Sequence, residues 1–238
     1  MAARFHNIVV LTGAGVSAAS GLPTYRGAGG VWEKHNVETF GTIEGFRRAP
    51  DKGWQLFGSL RPMIEAAQPN AAHIALAQFE SSLSPQVRFL VTTQNVDGLH
   101  QRAGSRNVAE LHGRIMRSRC DAGCGQPALD DSDVYVDEVP KCPSCGGLWR
   151  PDIVLFNEIT DVEATWRTKR ALRDVELFVA VGTSGNVSPA SSFVRWARDM
   201  GARTVLVNAE PARDEEAFHE RLYGKAEVVL PRFLESLA

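Results

Sequence analysis

The chain lacks any strong charge imbalance: its 238 residues carry a formal net charge of only −2. It has no run of lysines and arginines interleaved with aromatics, so a nucleic-acid surface has no electrostatic support. No stretch approaches the roughly 18 apolar residues of a membrane span, and the apolar segment near the start is shorter than a signal-peptide core. Cytoplasmic residence with neither nucleic-acid nor membrane partners is therefore expected, and a monomer is the accompanying expectation, which no sequence feature fixes. Internal repeats and low-complexity segments are also missing, which excludes solenoids and disordered tails. Cysteine is scarce: four residues, all between positions 120 and 145. A secreted disulfide framework would be more widely spread, and clustering of this kind points to metal.

What is present is the balance of a globular enzyme, 44% hydrophobic and 23% charged. The length suits one domain with a small inserted module. Apolar, β-branched runs at Asn7–Leu11, Val87–Thr92, Leu177–Val181 and Thr204–Val207 read as buried parallel strands. Helical patterns at Pro69–Glu80, Asp161–Arg173 and Pro189–Met200 alternate with them, which predicts an α/β fold built on a doubly wound, Rossmann-like parallel sheet. Two segments break the rhythm, about 27–68 and about 114–150, and read as insertions forming a smaller lobe around a zinc module at 120–145. The large domain then comprises about 1–26, 69–113 and 151–238.

Ligands of open α/β sheets sit beyond the carboxyl ends of the strands. The residues there are Thr12-Gly13-Ala14-Gly15-Val16-Ser17-Ala18, Thr93-Gln94-Asn95-Val96-Asp97, Gly182-Thr183-Ser184 and Asn208-Ala209-Glu210. Small residues, amides and hydroxyls dominate all four. The first matches G-x-G-x-x-A, whose glycines let the backbone approach a pyrophosphate at a helix start; a tight turn without ligand is the alternative for this motif alone. The helix it would open is cut short at Gly21-Leu22-Pro23, so the second strand of a hydride-transfer dehydrogenase cannot follow. A glycine-rich loop, Thr24 to Gly30, carries Tyr25 and Arg26 and is suited to closing over a cofactor that is consumed.

Cys120-x3-Cys124 and Cys142-x2-Cys145 have the intra-pair spacing of a structural zinc site, and four thiolates leave no open position for substrate. A thioredoxin-like redox pair is the weaker alternative, because Cys142-Pro143-Ser144-Cys145 opens no helix after a strand. Of six histidines, His112 follows a short apolar run and precedes Gly113, which places its ring at a strand exit facing the cleft. His100, three residues from Asp97, competes for the role of base. His73 and His219 read as structural. No G-x-S-x-G frame is present, so covalent catalysis by serine is not indicated.

Taken together, Gly13-Ala14-Gly15-Val16-Ser17, Gly21 to Gly27, Gln94-Asn95-Val96-Asp97, His112-Gly113, the four cysteines, Gly182-Thr183-Ser184 and Asn208 resemble the sirtuin family, in family order and over about residues 5–235. The resemblance implies an NAD-dependent protein-lysine deacylase, with NAD+ as co-substrate, one structural zinc, and release of nicotinamide and O-acyl-ADP-ribose. It implies that His112 acts as base on a ribose hydroxyl, Asn95 orients the ribose and Asp97 holds the nicotinamide end. It further implies cofactor contacts from Gly13, Ala14, Gly15, Ser17, Thr24, Tyr25, Arg26, Trp32, Gln94, Gly182, Thr183, Ser184, Asn208 and Ala226, and zinc ligation by Cys120, Cys124, Cys142 and Cys145. The acyl-lysine protein would add as an extended strand between Leu155–Glu158 and Asn186–Pro189, near Phe156, Asn157 and Val187.

The chain most resembles the sirtuin subgroup that includes desuccinylases, through Gly27 to Trp32 and Arg150 to Phe156. That subgroup's Tyr-x-x-Arg pair, which binds an acidic acyl carboxylate, corresponds here to Phe57 and Leu60, unless Arg61 reaches the pocket. Losing phenol and guanidinium removes the charge-assisted contact, so acetyl and longer neutral acyl groups are expected. Competing functions are a protein mono-ADP-ribosyltransferase using the same NAD site, and a non-catalytic NAD-binding or zinc-ribbon module.

Overall fold

The computed structural model describes residues 5–24, 37–135 and 138–237. Its strands are β1 (Asn7–Thr12), β2 (Arg88–Thr93), β3 (Val108–Glu110), β4 (Gly113–Cys120), β5 (Leu129–Asp130), β6 (Trp149–Ile153), β7 (Leu177–Val181), β8 (Arg203–Asn208) and β9 (Glu220–Tyr223). Six of them form one sheet in the order β3-β2-β1-β7-β8-β9. Every pairing in it is parallel. This is the Rossmann-like arrangement: the order reverses between β1 and β7, and a crevice opens outside their carboxyl ends.

The central strands are apolar on both sides because both faces are covered. Ile8, Val10, Val91 and Val179 pack with Leu76, Leu230 and Phe233, from the helices Ala71–Ser82 and Ala226–Glu235. Their neighbours Val9, Leu11, Leu90 and Phe178 pack on the opposite face with Ala164, Phe193 and Ala197, from the helices Val162–Ala171 and Phe193–Asp199. Each such fully buried aliphatic side chain contributes about 1.5–3 kcal/mol. Among the described residues no helix is long and apolar enough to cross a membrane.

The smaller lobe joins helical segments between Val37 and Ala66 to an antiparallel sheet in the order β5-β4-β6. Its core gathers Ile43, Phe46, Trp54, Phe57, Leu60 and Ile64 against Ile115, Ile153 and Leu155. The expected boundary at 150/151 falls inside β6, which continues the small sheet to Ile153. A helix was expected after Gly13-Ala14-Gly15; instead two 3-10 turns, Ala14–Val16 and Ala18–Ser20, occupy that stretch. A run of Gly, Ala and Ser too short to reach a second turn cannot sustain an α-helix against Leu22-Pro23.

Candidate active site

The loops after β1 and β7 interlock. The Gly13 N–H donates to the Val181 carbonyl at 3.0 Å and the Gly15 N–H to the Gly182 carbonyl at 2.9 Å. A Cβ at Gly13 would meet the Gly182 oxygen at 2.7 Å, and one at Gly182, whose φ is +60°, would meet Val16 N at 2.4 Å. The glycines are thus required first by contact of one strand-end loop with another, which then forms the floor of a cavity of about 770 Å³.

That cavity is lined by Gly13, Ala14, Gly15, Thr24, Gln94, Asn95, His112, Gly182, Thr183, Ser184, Asn208 and Ala226, together with Phe156, Asn157 and Val187. Gln94 Nε2 donates to Thr183 Oγ1 at 3.0 Å, tying the end of β2 to that of β7. Asn208 Nδ2 donates to the Thr183 carbonyl at 3.3 Å and to that of Glu210 at 2.8 Å. The wall offers neutral amides and hydroxyls, a donor and acceptor set suited to ribose and carboxamide groups. Lys225, Glu210 and Glu227 also line it. Lys225 and Glu227 escaped the sequence reading because the helix that starts at Ala226 was not predicted. Tyr25, Arg26 and Trp32 lie outside the described residues.

His112 sits in the two-residue crossing from β3 of the large sheet to β4 of the small one. Its Nδ1 is 2.8 Å from the Gln94 carbonyl. A carbonyl only accepts, so Nδ1 carries the proton and Nε2 keeps the lone pair, as a base requires. Burial pushes the His112 pKa down, partly opposed by the Gln94 carbonyl, so the ring is neutral at physiological pH. Gly113, at φ +75°, makes the turn after it; a Cβ there would fall 2.2 Å from the Asp152 carbonyl oxygen.

His100 is engaged elsewhere. It is 1% exposed and does not line the cavity. Thr12 Oγ1 donates its own proton to Thr93 Oγ1 at 2.9 Å, so His100 Nε2–H, 2.9 Å away, donates to Thr12. Burial, with His73 beside it, lowers its pKa to about 3. His73 accepts the Asn70 N–H at Nδ1 and approaches Ser17 Oγ at 3.4 Å through Nε2, as a structural histidine does. His219 is likewise structural, 2.9 Å from Thr204 Oγ1.

Asn95 and Asp97 meet through Ser17. Asn95 Nδ2 donates to Ser17 Oγ at 3.1 Å and to the Gly13 carbonyl at 3.2 Å; Ser17 donates to Asp97 Oδ2 at 2.7 Å. Asp97 Oδ1 also accepts the Leu99 N–H at 2.9 Å. Burial raises the Asp97 pKa, against the pull of these donors. Ser17 and Asp97 line a smaller apolar recess, with Leu22, Pro23, Leu60, Met63 and Ile64, which shares Ala14, Asn95 and Val96 with the large cavity.

The substrate residues expected from sequence divide. Leu60 lines the recess, whereas Phe57 is buried in the small-lobe core and lines neither cavity. Arg61 does not reach the cleft: fully buried, it donates to the Ile115 carbonyl at 3.0 Å and Ser118 Oγ at 2.8 Å and pairs with Asp131 at 3.1 Å. Asn157 has φ +69°, a left-handed conformation that Asn tolerates and glycine accepts freely.

The four cysteine sulfurs all lie within 4.8 Å of one another. Cys120 and Cys145 are 3.6 Å apart and Cys124 and Cys142 3.7 Å. Zinc–sulfur bonds of about 2.3 Å in a tetrahedron place sulfurs about 3.8 Å apart, so these residues fit zinc, and the separations are too long for disulfides.

The Sir2 family model matches residues 13–189. An "NAD-dependent protein deacylase 2" of Pyrobaculum aerophilum is 45% identical over 237 residues, covering 99% of this chain and 92% of the relative. A Sir2 homologue solved as a mutant complex with ADP-ribose superposes with a TM-score of 0.91 at 33% identity, covering 98% of this chain and 92% of its own. A Sir2 complex with p53 peptide and NAD+ gives 0.84 at 29% identity, covering 98% and 94%. With three quarters of its length matched by one family model and a near-complete overlap with these relatives, the chain belongs to the Sir2 family.

Proposed function

We propose that this chain is an NAD-dependent protein-lysine deacylase that transfers the acyl group to ADP-ribose and releases nicotinamide. The observation that carries the reading is His112: its Nδ1–H is spent on the Gln94 carbonyl and its residue lines the same cavity as Asn95 and Gly13 to Gly15. A neutral imidazole with a fixed tautomer is the base needed to take a proton from a ribose hydroxyl. Asn95, with its amide N–H groups turned inward, keeps Oδ1 to accept from that ribose. Asp97, backed by Ser17 and Leu99 N–H, would hold the nicotinamide end. Gln94, Thr183, Ser184, Asn208 and Ala226 would bind the rest of the dinucleotide, with Thr24, Tyr25, Arg26 and Trp32 covering it.

An acyl-lysine protein would lie as a strand along Phe156, Asn157 and Val187, with the acyl group directed toward Leu60. Cys120, Cys124, Cys142 and Cys145 would hold one zinc, which supplies stability rather than chemistry. We read about 1–26, 69–113 and 151–238, less the end of β6, as the large domain, with about 27–68, 114–150 and the end of β6 as the small one. Thiols paired for metal support a reducing, cytoplasmic setting, and a monomer accompanies the reading.

Mass spectrometry after incubation with NAD+ and acetyl-lysine peptides tests it. Acyl-ADP-ribose and nicotinamide should form in equal amounts, and His112→Ala should lower kcat by about 100-fold or more. ADP-ribosylated protein in place of acyl-ADP-ribose would establish a transferase instead, and NAD+ binding without nicotinamide release a non-catalytic module.

A further inference from the structure

The turn Leu155–Glu158, which lines the cavity beside His112, is held by a buried ion pair outside the catalytic set. Arg150 is 1% exposed at its side chain and Glu158 16%. Their contact is a fork: Nη1 to Oε1 at 2.7 Å and Nη2 to Oε2 at 2.8 Å. Arg150 Nη2 also donates to the Ile153 carbonyl at 2.7 Å, and Glu158 Oε2 accepts the Leu155 N–H at 2.8 Å, so the pair ties both ends of the turn. On its other side Arg150 Nη1 lies 3.4 Å from Oδ1 of Asp121, the residue after Cys120, and Asp121 is in turn gripped by Arg47 at 2.8 Å. Burial acts to raise the Glu158 pKa, but the Arg150 fork outweighs it and keeps Glu158 ionised.

The backbone of the turn is already committed on one side. Val154 N–H donates to the His112 carbonyl at 2.9 Å, Phe156 N–H to the Gly41 carbonyl at 3.0 Å, and Ile43 N–H to the Phe156 carbonyl at 3.0 Å. The register of the turn against the base is therefore set by a few bonds, of which the charged ones are the Arg150–Glu158 fork and a longer contact of 3.5 Å from Arg119 Nη2 to Glu158 Oε1. We propose that Arg150 and Glu158 are positioning residues for the acyl-lysine protein: the fork fixes the turn against which the substrate strand pairs, without touching the dinucleotide. This rests on the deacylase reading above.

Removing a fork partner shifts the turn against which the peptide backbone pairs, so the loss falls on peptide binding and leaves the dinucleotide contacts in place. The variants are Arg150→Met, Glu158→Gln, the conservative Arg150→Lys, and the double Arg150→Met/Glu158→Leu, which replaces the pair with apolar groups and so avoids leaving a buried charge alone. For each, KM and kcat with an acetyl-lysine peptide, ADP-ribose affinity by calorimetry, zinc content and Tm are measured. Expected is a rise of about tenfold or more in peptide KM for Arg150→Met, Glu158→Gln and the double variant, a smaller rise for Arg150→Lys, and ADP-ribose affinity within about threefold of the parent.

Peptide KM within about twofold in the folded double variant would make the pair merely structural and overturn the proposal. So would a loss with Glu158→Gln but not Arg150→Met, since the carboxylate would then be acting on the peptide directly, or an equal loss of ADP-ribose affinity. If the parent itself releases no nicotinamide with any acylated peptide, the deacylase reading has failed; if the parent turns over normally and the variants match it, only this inference has.

Discussion

Acid should unfold this protein earlier than its carboxylates alone would require, because two buried histidines lie under the floor of the cleft. Burial lowers the His73 pKa from 6.5 to about 4, and burial with the neighbouring His73 lowers that of His100 from 6.5 to about 3. The rings stand 4.9 Å apart, 0% and 1% exposed, so solvent cannot screen a proton added to either. Below pH 6.5 the unfolded chain takes up protons that the folded chain refuses, and stability falls as pH falls. At pH 5 each histidine has lost 1.5 pH units of linkage, about 2 kcal/mol, or about 4 kcal/mol for the pair. His112, lowered by burial, adds to the loss, whereas Asp97, whose pKa is raised by burial, offsets part of it. Asp121 and Glu158, lowered by their arginine partners, lose their contribution only below the ordinary carboxylate range. A loss on the order of 4 kcal/mol is a large share of the 5–15 kcal/mol typical of a domain. Urea unfolding at pH 7.5 and pH 5.0 measures it, and His100→Gln should flatten the pH dependence by about half. A difference below about 1 kcal/mol between the two pH values would refute the reasoning.

Two further outcomes are expected. Cys124→Ser, or a strong chelator, should remove zinc and lower Tm by more than about 5 °C while ADP-ribose binding on the parallel sheet survives; peptide KM should rise as Cys120 and then Asp121 loosen, and unchanged zinc content and Tm would refute this. Acetyl-lysine peptides should exceed succinyl-lysine peptides in kcat/KM by about tenfold or more, because neither Phe57 nor Leu60 offers a charged or hydrogen-bonding group to an acyl carboxylate and Arg61 is spent on the Ile115 carbonyl and Asp131; a succinyl preference would refute it.

The strand ends were legible because the chemistry follows each apolar run directly: Gly13 to Ser17, Gln94 to Asp97, Gly182 to Ser184 and Asn208 are local signals. The choice between His112 and His100 was not, since it turns on Gln94 and Thr12, residues far away in sequence. β9 escaped because an edge strand with alternate exposed residues, Glu220-Arg221-Leu222-Tyr223, forms no apolar run. The helix Ala226–Glu235 was masked by Pro231 within it. Phe57 corresponds to the tyrosine of the subgroup's Tyr-x-x-Arg pair, yet helical phase turns it into the core beside Trp54. The fork between Arg150 and Glu158 joins residues close in sequence, but only the turn at Asn157 brings them face to face.

The antiparallel ladder of β4 and β6 begins where Gly113 pairs with Ile153. The excursion that builds the cysteine module therefore leaves and re-enters the cleft at one point, like a drawer on a single rail. The cysteine end hangs beyond that rail, so a short insertion at the turn of residues 125–127, clear of the Asp131 and Asp133 that Arg61 holds, keeps the spacing between the imidazole and the Leu155–Glu158 turn.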